Sequence, residues 1–270
     1  MRRFALVVAA CTLALVTAGA LVTSNDAALA VPDWPLNWGR LIPPLEGGIR
    51  FEFAHRALAL LTAVLTIVLA LRIQRMRRLA WCAVAAVLAQ ALLGGALVKL
   101  IDPKSLAIAH ASLAEICFGL TVAIVAGFAS DAQPQPALVA RLAVVILFAQ
   151  AVSGAALRHH AVGIVPHIVG AAIAAGIAMW ASLAVLVRHL DEGPLPRPAL
   201  ALLGFTALQI FSGIAAYSVR AAAVHDPQPM PLTIWTTVAH VVLGALTFGS
   251  AIWLAMTERP QSRSAGLPVS

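Results

Sequence analysis

Four histidines stand in matching surroundings along the 270-residue chain: His55 in FEFAHR, His110 in IAHASLAE, His167 in VPHIVGA and His240 in VAHVVLGAL. Each lies near the start of an apolar stretch, and each is preceded by another apolar stretch that closes on small residues. Those closing segments read TAGALV at 17–22, QALLGGALVK at 90–99, QAVSGAALR at 150–158 and QIFSGIAAYSVR at 209–220, with Gln four residues before Gly in the last three. A lone histidine near the end of such a stretch is commonly an interfacial residue. Four at similar depth point to ligation, because ionisable groups in membrane-crossing segments are rare and usually functional. In a four-helix bundle, two imidazoles on facing helices can bind one metal centre from opposite sides. Zinc asks for further ligands, and no cysteine or carboxylate cluster supplies them. Two imidazoles in an apolar slot suit haem iron. The repeat pairs His55 with His110 and His167 with His240. The repeat glycines have a plainer reading as well, since small residues let helices approach closely.

The neighbours of these histidines add candidates. Glu52 stands three residues before His55 and shares its helix face. It can orient the histidine, act as an acid–base group, or simply pair with Arg56 four residues on. Arg56, Lys99, Arg158 and Arg220 lie on the same side as the histidines and can meet the carboxylates of a bound porphyrin; snorkelling to the interface explains them equally well. Glu115 is a second acid within an apolar run, but five residues from His110 places it about 140° around the helix, as a helix-contact or proton-relay residue. His159, His160, His189 and His225 fall in loops and are expected to be solvated.

The elements that must position these groups follow from composition. Hydrophobic residues make up 61% of the chain and charged ones 11%, with mean hydropathy +0.93; a soluble domain is about a quarter charged. This excludes a soluble enzyme, a disordered chain and a nucleic-acid module. Eight stretches, 4–23, 53–71, 79–98, 106–128, 138–157, 164–187, 199–217 and 234–256, are long and apolar enough to cross a bilayer. The alternation of a β-barrel is absent. The expected fold is all-α and integral to the membrane: eight transmembrane helices as two pseudo-symmetric four-helix bundles, 1–130 and 131–270. The links 24–50 and 218–233 read as ordered surface loops. The N-terminus also resembles a signal peptide, but its apolar run continues through Leu21 and Val22, and a retained first span is preferred.

The 18 Lys and Arg outnumber 11 Asp and Glu, giving a net charge of +7. With the N-terminus inside, the inner segments carry Arg2, Arg3, Arg72, Arg75, Arg77, Arg78, Arg141, Arg188, Arg197, Arg259 and Arg263. The outer ones carry Arg40, Arg50, Lys99, Lys104, Arg158 and Arg220. The positive-inside rule then puts both termini in the cytoplasm. The basic excess is an orientation signal and no evidence for a nucleic-acid partner. Cys11, Cys82 and Cys117 lie inside apolar runs and suggest neither disulfide nor zinc site.

The stretch GALVTSNDAALAVPDWPLNWGRLIPP at 19–44, followed by FEFAHR at 51–56, resembles the first hairpin of the haem A synthase family. The shared features are a G-A-x-V-T segment, a P-D-W-P-L loop and an E-x-x-H-R motif, and the later histidines sit where that family's remaining haem ligands fall. The resemblance implies that His55 and His110 hold the substrate, haem O, and that His167 and His240 hold an electron-passing haem b as cofactor. It implies that Glu52 is the catalytic carboxylate, and that the C8 methyl of haem O is oxidised through successive hydroxylations to the formyl of haem A for terminal oxidases. A bacterial cell inner membrane, lipid contact and a haem O synthase as partner are further expectations, and an oligomer is compatible with the sequence, which does not read out the oligomeric state. Many members carry a cysteine pair in the first outer loop, where this chain has Val31 and Asn37; TSNDAA at 23–28 also lacks the family's glycines. The histidines alone equally suit a di-haem b membrane cytochrome exchanging electrons with quinone, or a haem carrier without catalysis.

Overall fold

The computed structural model describes residues 1–37, 39–129, 138–190 and 196–257. Among these residues there are eight helices and no strand. They are α1 (Arg2–Ser24), α2 (Ile49–Arg72), α3 (Arg77–Lys99), α4 (Lys104–Gly127), α5 (Leu138–Arg158), α6 (Ile164–Arg188), α7 (Arg197–Ala222) and α8 (Pro231–Thr257). All eight are long and apolar enough to cross a membrane. The expected spans fall inside these helices except at Phe128, which caps α4. The 130/131 boundary, Arg259 and Arg263 lie outside the described residues.

Helices α1 to α4 pack in a ring, α1 on α2, α2 on α3, α3 on α4 and α4 on α1. Helices α5 to α8 repeat this arrangement, with α8 returning to α5. The rings meet where α4 and α1 touch α8, and α4 touches α5.

The packing is that of a chain whose solvent is lipid. Large apolar side chains point outward, among them Leu60, Leu92, Trp180 and Phe211. The buried positions are rich in alanine: Ala5, Ala80, Ala83, Ala143, Ala178, Ala181, Ala199 and Ala251. Hydrocarbon tails are as apolar as leucine, so helices associate through close van der Waals contact, which small residues allow. Buried hydroxyls have no water to turn to. Thr12, Thr66, Ser182 and Thr206 each donate to the carbonyl four residues earlier, at 2.7–2.8 Å.

Each ring is plugged at one end. Ala5, Val8, Leu69, Ile73, Ala83 and Ile124 form a buried cluster in the first, and Ala143, Ala181, Val185, Leu202, Ala251 and Leu254 in the second. These come from the starts of the odd helices and the ends of the even ones. The four histidines lie at the opposite end, in the first three turns of α2, α4, α6 and α8.

Fully buried Ala181 tests this packing against Trp180, which is 60% exposed. Ala181→Leu should destabilise the detergent-solubilised protein by about 1–3 kcal/mol through overpacking. Trp180→Leu should lie within about 0.5 kcal/mol of the parent, both measured as loss of helical signal on heating.

Candidate functional site

The repeat glycines have a local purpose. Each lies against the imidazole of the following helix: Gly19 against His55, Gly94 against His110, Gly154 against His167 and Gly213 against His240. A Cβ at these glycines would stand 3.2, 3.3, 3.1 and 2.9 Å from the histidine Cε1. The missing side chain therefore leaves the space that lets an imidazole lie between two helices. The glutamines one turn earlier tie the helices together at the same level. Gln90 Nε2 donates to the carbonyl of His110 and Gln150 Nε2 to that of His167, both at 2.9 Å.

Seated in this way, the imidazoles meet in pairs. The ring centroids of His55 and His110 are 6.5 Å apart, with planes at 68°. Those of His167 and His240 are 6.4 Å apart, at 82°. All four rings are half-buried. A metal bound about 2 Å from a nitrogen of each ring would set the centroids roughly 6–6.5 Å apart. Among the described residues no three of His, Cys, Asp and Glu gather as a metal site. A centre needing only two protein ligands, because it brings its own equatorial set, suits these pairs; haem iron is such a centre.

The pairs differ in what faces the second ring nitrogen. Nδ1 of His55 and Nδ1 of His110 are buried without a hydrogen bond; they look towards the main chain of Leu15 and Gln90. Nδ1 of His240 lies 3.0 Å from Ser212 Oγ. Nδ1 of His167 lies 3.1 Å from Gln150 Nε2 and 3.5 Å from Ser153 Oγ.

Glu52 and Arg56 form an ion pair in the first two turns of α2, and together they hold the α1–α2 loop. Glu52 is 4% exposed, and its Oε2 accepts the Val31 N–H at 2.7 Å. Arg56 donates to the carbonyls of Asp33, Leu36 and Val31 at 2.8, 2.9 and 3.2 Å, and to Asn37 Oδ1 at 3.3 Å. Val31 and Asn37, the positions of the cysteine pair in the resemblance, are thus both tied to this ion pair. The loop also sets the indole of Trp34 against α3 at Gly95, where a Cβ would lie 2.7 Å from Trp34 Cδ2. Trp34 therefore packs beside the glycine that receives His110.

The other expected residues are more scattered. Lys99 and Arg220 are exposed. Arg158 reaches from α5 to α1, donating through Nη2 to the Ala20 carbonyl at 2.9 Å and Ser24 Oγ at 2.7 Å, while its Nη1 is buried without a partner. Glu115 is buried with Oε2 unpartnered, one turn before Gly119, which packs on Phe248 and Ile252 of α8. It stands apart from the histidine pairs. Of the loop histidines, His160 and His225 are exposed as expected, but His159 and His189 are half-buried. His189 caps α6 with Nδ1 2.9 Å from the Val185 carbonyl. Burial lowers the pKa of His159 and Arg158 adds to this, opposed by the nearby Asp102 carboxylate.

Residues 1–122 match the model of the COX15-CtaA family, cytochrome oxidase assembly protein. That stretch holds Glu52, His55, Arg56 and His110, and ends before His167 and His240. No curated protein matches the chain. The family match agrees with the resemblance carried by the first hairpin.

Sequence reasoning missed the serines before Gly154 and Gly213, the seat of Trp34 and the Arg158 clasp. Only the serines had a signal, since they occupy one place in two of the four repeats. The loop clamp has a direct test. Arg56→Ala should speed proteolysis between residues 31 and 41 by about tenfold or more, equivalent to roughly 1.4 kcal/mol of lost restraint. Arg50→Ala, whose guanidinium rests on the exposed side of α2 over Phe51, should leave the rate unchanged.

Proposed function

We propose that the chain is a haem A synthase, a membrane oxidoreductase that converts the C8 methyl of haem O to the formyl of haem A. His55 and His110 hold the substrate haem O; His167 and His240 hold a resident haem b. Supporting this are the ring spacing in each pair and the family match over residues 1–122. Haem b, when bound, supplies one-electron transfer to and from the substrate site.

One observation carries the choice of a modifying enzyme over a two-haem electron carrier. Only the first pair has acid–base groups attached. Three residues before the histidine stand Glu52, Ala107, Ile164 and Thr237 in turn; one residue after it stand Arg56, Ala111, Ile168 and Val241. A carrier with two equivalent haems has no need of a buried carboxylate at one of them. Oxidising a methyl group to a formyl with oxygen from water releases four protons along with the four electrons that must pass to an acceptor, and a carboxylate beside the substrate can take those protons. Glu52 takes that part. Arg56 and the Val31 N–H fix its two oxygens, so the group is held in one position through the reaction. The α1–α2 loop, drawn onto the same ion pair and onto α3 by Trp34, closes the outer side of the substrate site and limits water there. Arg158, with Nη1 unpartnered, is the best placed of the four cations to take a porphyrin propionate, followed by the exposed Lys99 and Arg220. The donors of Arg56 are already engaged with the loop and Glu52.

The orientation with both termini in the cytoplasm, a bacterial inner membrane and a haem O synthase as the supplying partner belong to the same proposal. Co-expression with a haem O synthase, followed by extraction and chromatography of the bound haems, tests it. Haem A or its hydroxymethyl precursor is the expected product. Recovery of only haems B and O from folded, loaded protein would assign the chain to electron transfer instead. Glu52→Gln keeps the side-chain shape and should retain haem O while product falls at least about 100-fold, within the range for a lost general acid–base group. Undiminished haem A from this variant would remove Glu52 from the chemistry.

A further inference from the structure

The two histidine pairs share one scaffold but differ at one repeat position. Immediately before the glycine that receives each imidazole stand Ala18, Leu93, Ser153 and Ser212. The first two belong to the pair assigned to substrate, the last two to the pair assigned to the cofactor. The difference is thus polar against apolar, at the nitrogen of each ring that packs towards the neighbouring helix.

Ser212 suits one tautomer of His240. Its hydroxyl donates to the Gln209 carbonyl at 3.0 Å, which leaves a lone pair facing His240 Nδ1 at 3.0 Å. In that arrangement the imidazole carries its proton on Nδ1 and keeps the lone pair on Nε2. Gln209 Nε2, a donor 3.4 Å from His240 Nε2, agrees with the same tautomer. That tautomer is the one needed for ligation through Nε2. A hydrogen bond from the far ring N–H also fixes the ring's rotation and strengthens it as a donor to the metal. At His167 the group nearest Nδ1 is instead a donor, Gln150 Nε2 at 3.1 Å, with Ser153 Oγ farther off at 3.5 Å, so the hydroxyl contact is fully developed only at His240. Ala18 and Leu93 offer no side-chain acceptor, so Nδ1 of His55 and His110 faces only the main chain of Leu15 and Gln90, outside hydrogen-bond geometry, and lacks the added hydroxyl that His240 has.

We propose that Ser212 is a positioning residue that makes the C-terminal pair a retaining haem site, while Ala18 and Leu93 make the N-terminal pair a releasing one. This rests on the reading above that both pairs bind haem. It supplies a physical reason for two sites of one design to serve different ends. A cofactor must stay through many turnovers, whereas a haem that enters as substrate must leave as product. Outer hydrogen bonds of this kind change metal affinity by about 10–100-fold, enough to separate a resident from a transient ligand without altering either ligand pair.

The test uses the purified full-length protein in detergent, loaded with ferric haem b, in backgrounds that leave one pair intact. In a His110→Ala background only the C-terminal pair can give a bis-imidazole spectrum. There, Ser212→Ala should raise the rate of haem loss to excess apomyoglobin by about 10–100-fold. It should also raise the haem midpoint potential, because a weaker imidazole donor stabilises ferric iron less. Ser212→Thr should restore both quantities, which a general packing defect would not allow. In a His240→Ala background, Leu93→Ser should slow haem loss from the N-terminal pair. Unchanged loss rate and potential in Ser212→Ala, with a bis-imidazole spectrum present, would overturn this proposal and leave the ligand assignment standing. Absence of any bis-imidazole haem in the His110→Ala protein would overturn the ligand assignment and this inference with it.

Discussion

The fit of an imidazole against a glycine is the interaction on which the rest of the molecule depends. Two membrane-crossing helices packed at ordinary distance leave no room for a histidine ring between them, and a buried imidazole without a role is costly in lipid. Removing one Cβ from the neighbouring helix makes that room. The chain does so at Gly19, Gly94, Gly154 and Gly213. Because the loops joining these helix pairs all lie at the same end, the four rings gather there, and the apolar plugs fill the other end. Within each ring of helices the two imidazoles then face one another at a spacing suited to a shared metal.

On this common design the two halves are specialised by very few residues. The first half adds Glu52, Arg56 and a loop whose carbonyls and amide groups converge on that ion pair. A buried ion pair contributes little net stability unless hydrogen bonds satisfy its remaining atoms; here the loop supplies those bonds, and the pair in turn fixes the loop. Val31 and Asn37 take part through main-chain and amide groups. The loop is therefore tied down without the cysteine pair of the family resemblance. The second half has no acid at the corresponding places and carries serines instead. Arg158 links the halves, since its guanidinium ends on the last turn of α1.

Much of this was legible in the sequence because the bilayer makes exceptions conspicuous. Eight apolar runs gave the helices, and the rare Glu52, His55, His110, His167 and His240 stood out against them. The pairing of the histidines came from the repeat, and their proximity in space follows its logic. Other features were hidden for physical reasons. The choice between Glu52 as a lone acid and Glu52 as the partner of Arg56 depends on a loop folding back, which helical spacing does not encode. The half-buried state of His159, near enough to Asp102 to feel its charge, is a tertiary matter. Trp34 sits on Gly95 because a loop crosses α3, and its type alone gave no hint of that. Ser153 and Ser212 were visible in the repeat, but their meaning required knowing which ring nitrogen faces the preceding helix.

The central claim is that each half holds its own haem on its own histidine pair, the first as substrate and the second as cofactor. The most direct measurement is the identity of the haems extracted from His110→Ala and His240→Ala proteins made beside a haem O synthase. The account predicts that His110→Ala keeps haem B and loses haems O and A. His240→Ala should lose haem B and keep haem O unconverted. The reverse distribution, or loss of the same haem from both variants, would contradict it.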